Sequence, residues 1–143
     1  MAGRWQIEFY ETPDGRVPVE EWLEGLNSTK RRAAAAGLEM VLAVDGPAGC
    51  ASPWGRHLGQ GLFEFRLRHS GQEIRSIRGG PSASNVGLAT PPEKVLLRIF
   101  CHAHGDRVIL LLAAYDKGRD PSPRRQQRVI SEARKRLREF KSR

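Results

Sequence analysis

Three arginines stand where strand periodicity would hold them in a row. In residues 61–69, Phe63, Phe65 and Leu67 alternate with Glu64, Arg66 and Arg68, so a strand here turns its apolar side chains one way and its charged ones the other. Arg98 lies in a second strand-like stretch, 95–102. A planar guanidinium can grip two phosphate oxygens at once, which an ammonium cannot do. Arginines projecting from the uncovered face of a sheet would therefore form a concave cationic surface suited to phosphodiesters. The competing role for Arg66 is an ion pair with Glu64. A carboxylate set among arginines has a depressed pKa and makes a weak base, so a structural pairing is the better expectation for Glu64.

The other reactive side chains point to less. His57, His69, His102 and His104 lack a metal-binding frame, and no metal or other cofactor is expected. His102 and His104 have the pKa for acid–base work, but both sit at or beside an expected turn and read as solvated. Cys50 and Cys101 form no CxxC pair. They read as a loop residue and a packed strand residue, reduced in a cytosolic chain.

Charge narrows the class of partner. The chain of 143 residues carries a formal net charge of +8, unevenly spread. Residues 1–29 hold two basic and six acidic side chains, and the last 27 hold eleven basic and three acidic. A one-sided field of this kind suits a polyanion, although a soluble basic surface has the same composition. No run of eighteen apolar residues is present to span a membrane, and the N-terminus has no apolar export core. A cytoplasmic location follows as an expectation.

The elements that must position these groups can be read from period and punctuation. Trp5, Ile7 and Phe9 share one face of a first strand. Pro18 opens a helix with Val19, Trp22, Leu23 and Leu26 on one side, and Asn27 or Ser28 caps a second helix running to about Val44. Residues 46–61 read as a Gly- and Pro-rich loop, and 79–93 as a flexible insertion. Strands follow at 61–69, 95–102 and 107–115, with a turn at His104-Gly105-Asp106. The last, apolar on both faces, reads as central. Ser122 and Pro123 begin a final basic helix reaching Phe140. One α+β domain over 1–143 is expected, ordered strand, helix, helix, three strands, helix. Its mainly antiparallel sheet carries two helices on one face.

With Gly61-Leu62-Phe63-Glu64-Phe65-Arg66 the chain resembles the HigB-like, phage-derived branch of the RelE/ParE toxins of type II toxin–antitoxin systems. Arg98-Ile99-Phe100-Cys101 is similar to the arginine-led strand of that branch. Gly105 through Leu112, Tyr115, Lys117, Ser122 and Pro123 follow its next stretch, and Pro18, Val19, Trp22, Leu23 and Leu26 match its opening. Two positions depart from the pattern: Gly118 replaces a second lysine and Arg119 a threonine. The insertion at 79–93 also lengthens a normally tight connection.

The resemblance implies a RelE-like fold and a metal-independent endoribonuclease that cuts mRNA on the ribosome, with the RNA 2′-hydroxyl attacking the adjacent phosphate. Arg66 and Arg98 would stabilise the phosphorane. Lys117 would act as general base or acid, given neighbouring cations or burial to lower its pKa. Tyr115 would stack on a base or donate a proton. Arg68, Arg119, Arg124, Arg125 and Arg128 would bind RNA. The partners implied are ribosome-bound mRNA and a helix-turn-helix antitoxin forming a hetero-oligomer. Two other readings compete: a ParE-like toxin acting on DNA gyrase, and a non-catalytic RNA- or ribosome-binding module, which Gly118 keeps open.

Overall fold

The computed structural model describes residues 3–79 and 94–143. Apart from Gly79, the expected insertion at 79–93 lies outside the described residues. The chain is α+β, built on a mixed five-stranded sheet: β1 (Gln6–Phe9), β2 (Gly55–Gly59), β3 (Leu62–Leu67), β4 (Leu97–His104) and β5 (Val108–Asp116). The spatial order is β1-β5-β4-β3-β2. Among the described residues only the β1–β5 pairing is parallel. As its doubly apolar sequence predicts, β5 is interior, flanked by β1 and β4.

The helices divide between the two faces. α1 (Pro18–Glu24) and α2 (Ser28–Gly37) begin as expected, with the Asn27 side chain accepting from the Lys30 amide. α2 continues through a π-helical turn, Leu38–Leu42, into α3 (Ala43–Asp45). Val19, Ala33, Ala34, Val41 and Leu42 pack on Phe63, Phe65, Leu67, Leu97, Ile99, Ile109 and Leu111. On the opposite face, Val129, Ile130, Ala133 and Leu137 of α5 (Pro123–Lys141) cover Leu62, Phe100, Leu110, Leu112 and Tyr115. Eight of the 19 residues of α5 are Lys or Arg. Its packed stripe, worth roughly 1.5–3 kcal/mol for each large side chain buried, offsets that self-repulsion.

Three expectations are corrected here. The face carrying Arg66 and Arg98 is not bare, because α5 lies across it. The loop at 46–61 contains a 3-10 turn, Gly46–Ala51, and the edge strand β2. β2 shows no alternation of its own: its partners come from β3, through a two-residue turn in which Gln60 (φ 55°) and Gly61 (φ 82°) are both left-handed. A further helix, α4 (Gly71–Arg78), lies where no element was expected. Its signal was present as Ser70-Gly71-Gln72-Glu73, a capping box in which Ser70 Oγ accepts from the Glu73 amide at 3.2 Å and Glu73 Oε1 from the Ser70 amide at 2.9 Å. The Arg78 guanidinium ties α4 to Asp45 with contacts of 2.6 and 3.1 Å.

Gly46 makes the turn from α3 possible. Its φ of +58° suits glycine alone, and a Cβ there would overlap the Trp5 indole. Gly46→Ala is expected to cost about 2–4 kcal/mol from backbone strain and overpacking. In urea unfolding the midpoint should fall at constant slope. No helix among the described residues is long and apolar enough to cross a membrane.

Candidate active site

Register brings three of the expected site residues into one transverse row. Arg66 on β3 lies directly opposite Arg98 on β4, and Arg98 directly opposite Tyr115 on β5. Side chains so placed leave the backbone about 4.5–5.5 Å apart at Cβ, where like charges repel. Glu64 makes the arrangement tolerable. It is completely buried, with its Oε2 3.3 Å from Arg66 Nε and 3.6 Å from Arg56 Nε, and its Oε1 3.4 Å from Arg98 Nε. Gln126 of α5 donates to Glu64 Oε1 at 3.3 Å. Three guanidiniums thus share one carboxylate, and the patch remains positive.

The members of the row differ in reach. Arg66 retains 22% exposure of its side chain, whereas Arg98 retains 4%. Arg98 Nε meets Glu64 as a charge contact without hydrogen-bond geometry, and its Nη1 donates to the Leu97 carbonyl at 3.2 Å. Burial pulls the Arg98 pKa down, opposed by Glu64 and reinforced by Arg66 and Arg68. The expectation that Arg98 grips phosphate as Arg66 does is therefore corrected. Arg98 stands behind Arg66 and adds charge from below.

Tyr115 is corrected in the same way. Its ring is 1% exposed and lies parallel to Phe100 at 6.2 Å between centroids, so no face is open for a nucleobase. Its hydroxyl is buried without a hydrogen-bond partner among the described residues. Burial, then the Glu64 charge, raises its pKa and keeps the proton on. A neutral hydroxyl therefore lies buried beside Arg98.

Lys117 follows Tyr115 at the end of β5. The residue is half-buried, and its pKa is lowered first by burial and then by the charges of Arg98, Arg66 and Arg68, with Glu64 opposing. The turn that carries it is clamped. Lys30 Nζ contacts Asp116 Oδ2 at 2.6 Å, Asp116 Oδ1 accepts from the Gly118 amide at 3.0 Å, and that amide also lies 3.2 Å from the Leu96 carbonyl. A Cβ at Gly118 would sit 3.1 Å from Asp116 Oδ1. The turn is thus closed on the residue that departs from the resembled pattern.

The expected RNA-binding residues fall around this row. Arg68 is exposed one step further along the same face of the sheet as Arg66, and Arg119 is exposed in the turn after Lys117. Arg124 and Arg128 are exposed on the first turns of α5, whose N-cap Ser122 accepts from the Arg125 amide. Arg125 is half-buried and close enough to Tyr115 to lower its pKa. Cations at a helix N-terminus oppose the macrodipole, so this end of α5 adds to an already positive surface. Other basic side chains of α5 are structural: Arg134 donates to the Leu58 carbonyl at 2.8 Å and Arg136 to the Leu112 carbonyl at 2.8 Å.

His102 and His104 belong elsewhere. They lie four and six residues beyond Arg98 on β4, and His102 is about 13 Å along the strand. His102 Nδ1 is 2.7 Å from the Gly61 carbonyl, and His104 packs on Phe140 at 5.0 Å. Among the described residues no group of His, Cys, Asp and Glu could hold a metal ion. Cys50 and Cys101 are both free thiols. Arg56 was missed in the sequence because its strand has no period, and Gln126 because only the fold brings α5 over Glu64. No family model matches the chain, and no curated protein or solved structure matches it.

Proposed function

We propose that the chain is the toxin of a type II toxin–antitoxin pair, a metal-independent endoribonuclease with a RelE-like fold that cuts messenger RNA on the ribosome. The observation that carries this reading is the pairing of Arg66 and Arg98 around one shared carboxylate, Glu64, with Lys117 near enough at the end of β5 for their charges to lower its pKa. In the proposed reaction the Lys117 amine, uncharged at a lower pH than an ordinary lysine, accepts the proton of the RNA 2′-hydroxyl. The 2′-oxygen bonds to the adjacent phosphorus and the bond to the 5′-oxygen breaks. Arg66 holds the charged phosphorane oxygens, with Arg98 adding charge behind it, and the leaving oxygen takes a proton from solvent water. Arg68, Arg119, Arg124, Arg125 and Arg128 hold the flanking strand. The ribosome supplies further positioning, and a helix-turn-helix antitoxin is the proposed neutralising partner.

The test is to add the purified chain to a coupled translation extract and follow message integrity, with supercoiling by gyrase assayed in parallel. Cut mRNA with unaffected supercoiling is expected. Intact mRNA with inhibited supercoiling would indicate a ParE-like toxin instead. Burial of Arg98 and Tyr115 favours one further reading, a ribosome- or RNA-binding module without chemistry, for which binding would persist without any cut.

Lys117 gives the reading a pH signature. If the uncharged amine is the base, cleavage rises with pH and levels off above the lowered Lys117 pKa. Lys117→Arg keeps the charge but stays protonated throughout, so its rate should be low and flat over the same range. A parental profile without this rise would remove Lys117 as the base.

A further inference from the structure

Beside Arg66, where β3 runs out, lies a cavity of about 260 Å³ lined by Pro53, Trp54, Arg66, Arg68, His69 and Ile77. Its volume falls below the roughly 300–1,000 Å³ of drug-sized sites and suits one ring system. Ile77 is 54% exposed, one of two large hydrophobic residues left so open among the described residues. Trp54 is half-exposed and is held from behind by Phe65, stacked at 6.5 Å and 19°, with His69 tilted at 5.2 Å. The Trp54 carbonyl accepts from the Arg66 amide at 2.7 Å, which locks the indole to the strand that presents both arginines. Among the described residues the charged groups lining the pocket are Arg66 and Arg68, with Glu73 lying 3.6 Å from His69.

An apolar, aromatic wall next to two guanidiniums calls for a ligand that is flat and apolar at one end and anionic at the other. We propose that this cavity is a nucleobase subsite for single-stranded RNA, in which one unpaired base packs against Trp54, Pro53 and Ile77 while Arg66 and Arg68 hold the phosphates on either side of it. This rests on the reading of the chain as a protein that acts on single-stranded RNA. It moves base recognition from Tyr115, which is closed off, to Trp54 at the rim.

Stacking of a base on an aromatic side chain is sequence-tolerant and strengthens binding roughly 5- to 150-fold. The probe is a five-nucleotide RNA whose scissile 2′-hydroxyl is blocked as a 2′-O-methyl group, compared with the same strand carrying one abasic position, walked along the sequence. At one position the abasic strand should bind at least fivefold more weakly than the intact one. Ile77→Gln, at an exposed site, should narrow that difference, and Trp54→Ala should abolish it, whereas Trp54→Phe should keep most of it. Arg66→Ala should weaken both strands and flatten the salt dependence.

Equal affinity of intact and abasic strands at every position overturns the subsite, as does failure of the parental chain to bind either strand; the cavity then goes to an apolar side chain of a protein partner. The nuclease reading is scored separately. A base-dependent preference without cleavage of ribosome-bound message upholds the subsite and overturns the nuclease. Cleavage with no base dependence does the reverse.

Discussion

Arg66→Ala should abolish growth arrest on expression and lower the rate of mRNA cleavage by about 100- to 1,000-fold, the cost of removing one donor from a preorganised anion site. The argument turns on exposure. Of the two arginines paired across β3 and β4, Arg66 is the one that reaches solvent, at 22% of its side chain. Its loss leaves Glu64 still flanked by Arg56, Arg98 and Gln126, so no buried charge is orphaned and the thermal midpoint should move by only a few degrees. Arg68→Ala should cost less, because an exposed phosphate contact adds binding more than transition-state stabilisation. Full toxicity of a folded Arg66→Ala chain would remove the lead catalytic residue.

Glu64→Ala should have the largest effect on stability. Glu64 is completely buried and Arg98 nearly so, and removing one partner of a buried ion pair leaves the other charge uncompensated at a cost of about 3–5 kcal/mol. For a chain of this size that lowers the melting temperature by roughly 6–20 °C. Glu64→Gln keeps a polar group against Gln126 but not the charge, and should fall between Glu64→Ala and the parent. Replacing Arg98 with Met in the Glu64→Ala background should restore part of the loss, since the unpaired charge leaves with it. A loss below about 1 kcal/mol for Glu64→Ala, by thermal or urea unfolding, would mean that the carboxylate does not hold the arginine row together.

The parts of this fold legible in sequence are those whose own residues determine them. β3 shows its two faces because Phe63, Phe65 and Leu67 alternate with Glu64, Arg66 and Arg68, and α5 shows its start because Ser122 caps it and Pro123 fits its first turn. β2 is illegible because Gly55–Gly59 holds one apolar residue, Leu58, and takes its shape from β3. α4 was legible in principle through Ser70 and Glu73, but its single buried apolar residue beyond Gly71, Ile74, gives no periodic face. For the site, parity along each strand placed Arg66 and Arg98 on a common face. It said nothing of depth, because periodicity within one strand does not show which face a later helix, α5, will cover. The same limit hid Gln126 against Glu64, while Trp54 came beside Arg68 through the β2–β3 hairpin, whose first strand has no period to read.

The central claim is that cations gathered on one side of this sheet carry a 2′-hydroxyl through attack on its neighbouring phosphate. Its most direct test is the chemistry of the ends left on a ribosome-bound message after brief exposure to the purified chain. The account predicts a 2′,3′-cyclic phosphate on one fragment and a 5′-hydroxyl on the other, both absent with Arg66→Ala. A message left whole by the parental chain, or cut equally well by Arg66→Ala, would contradict it.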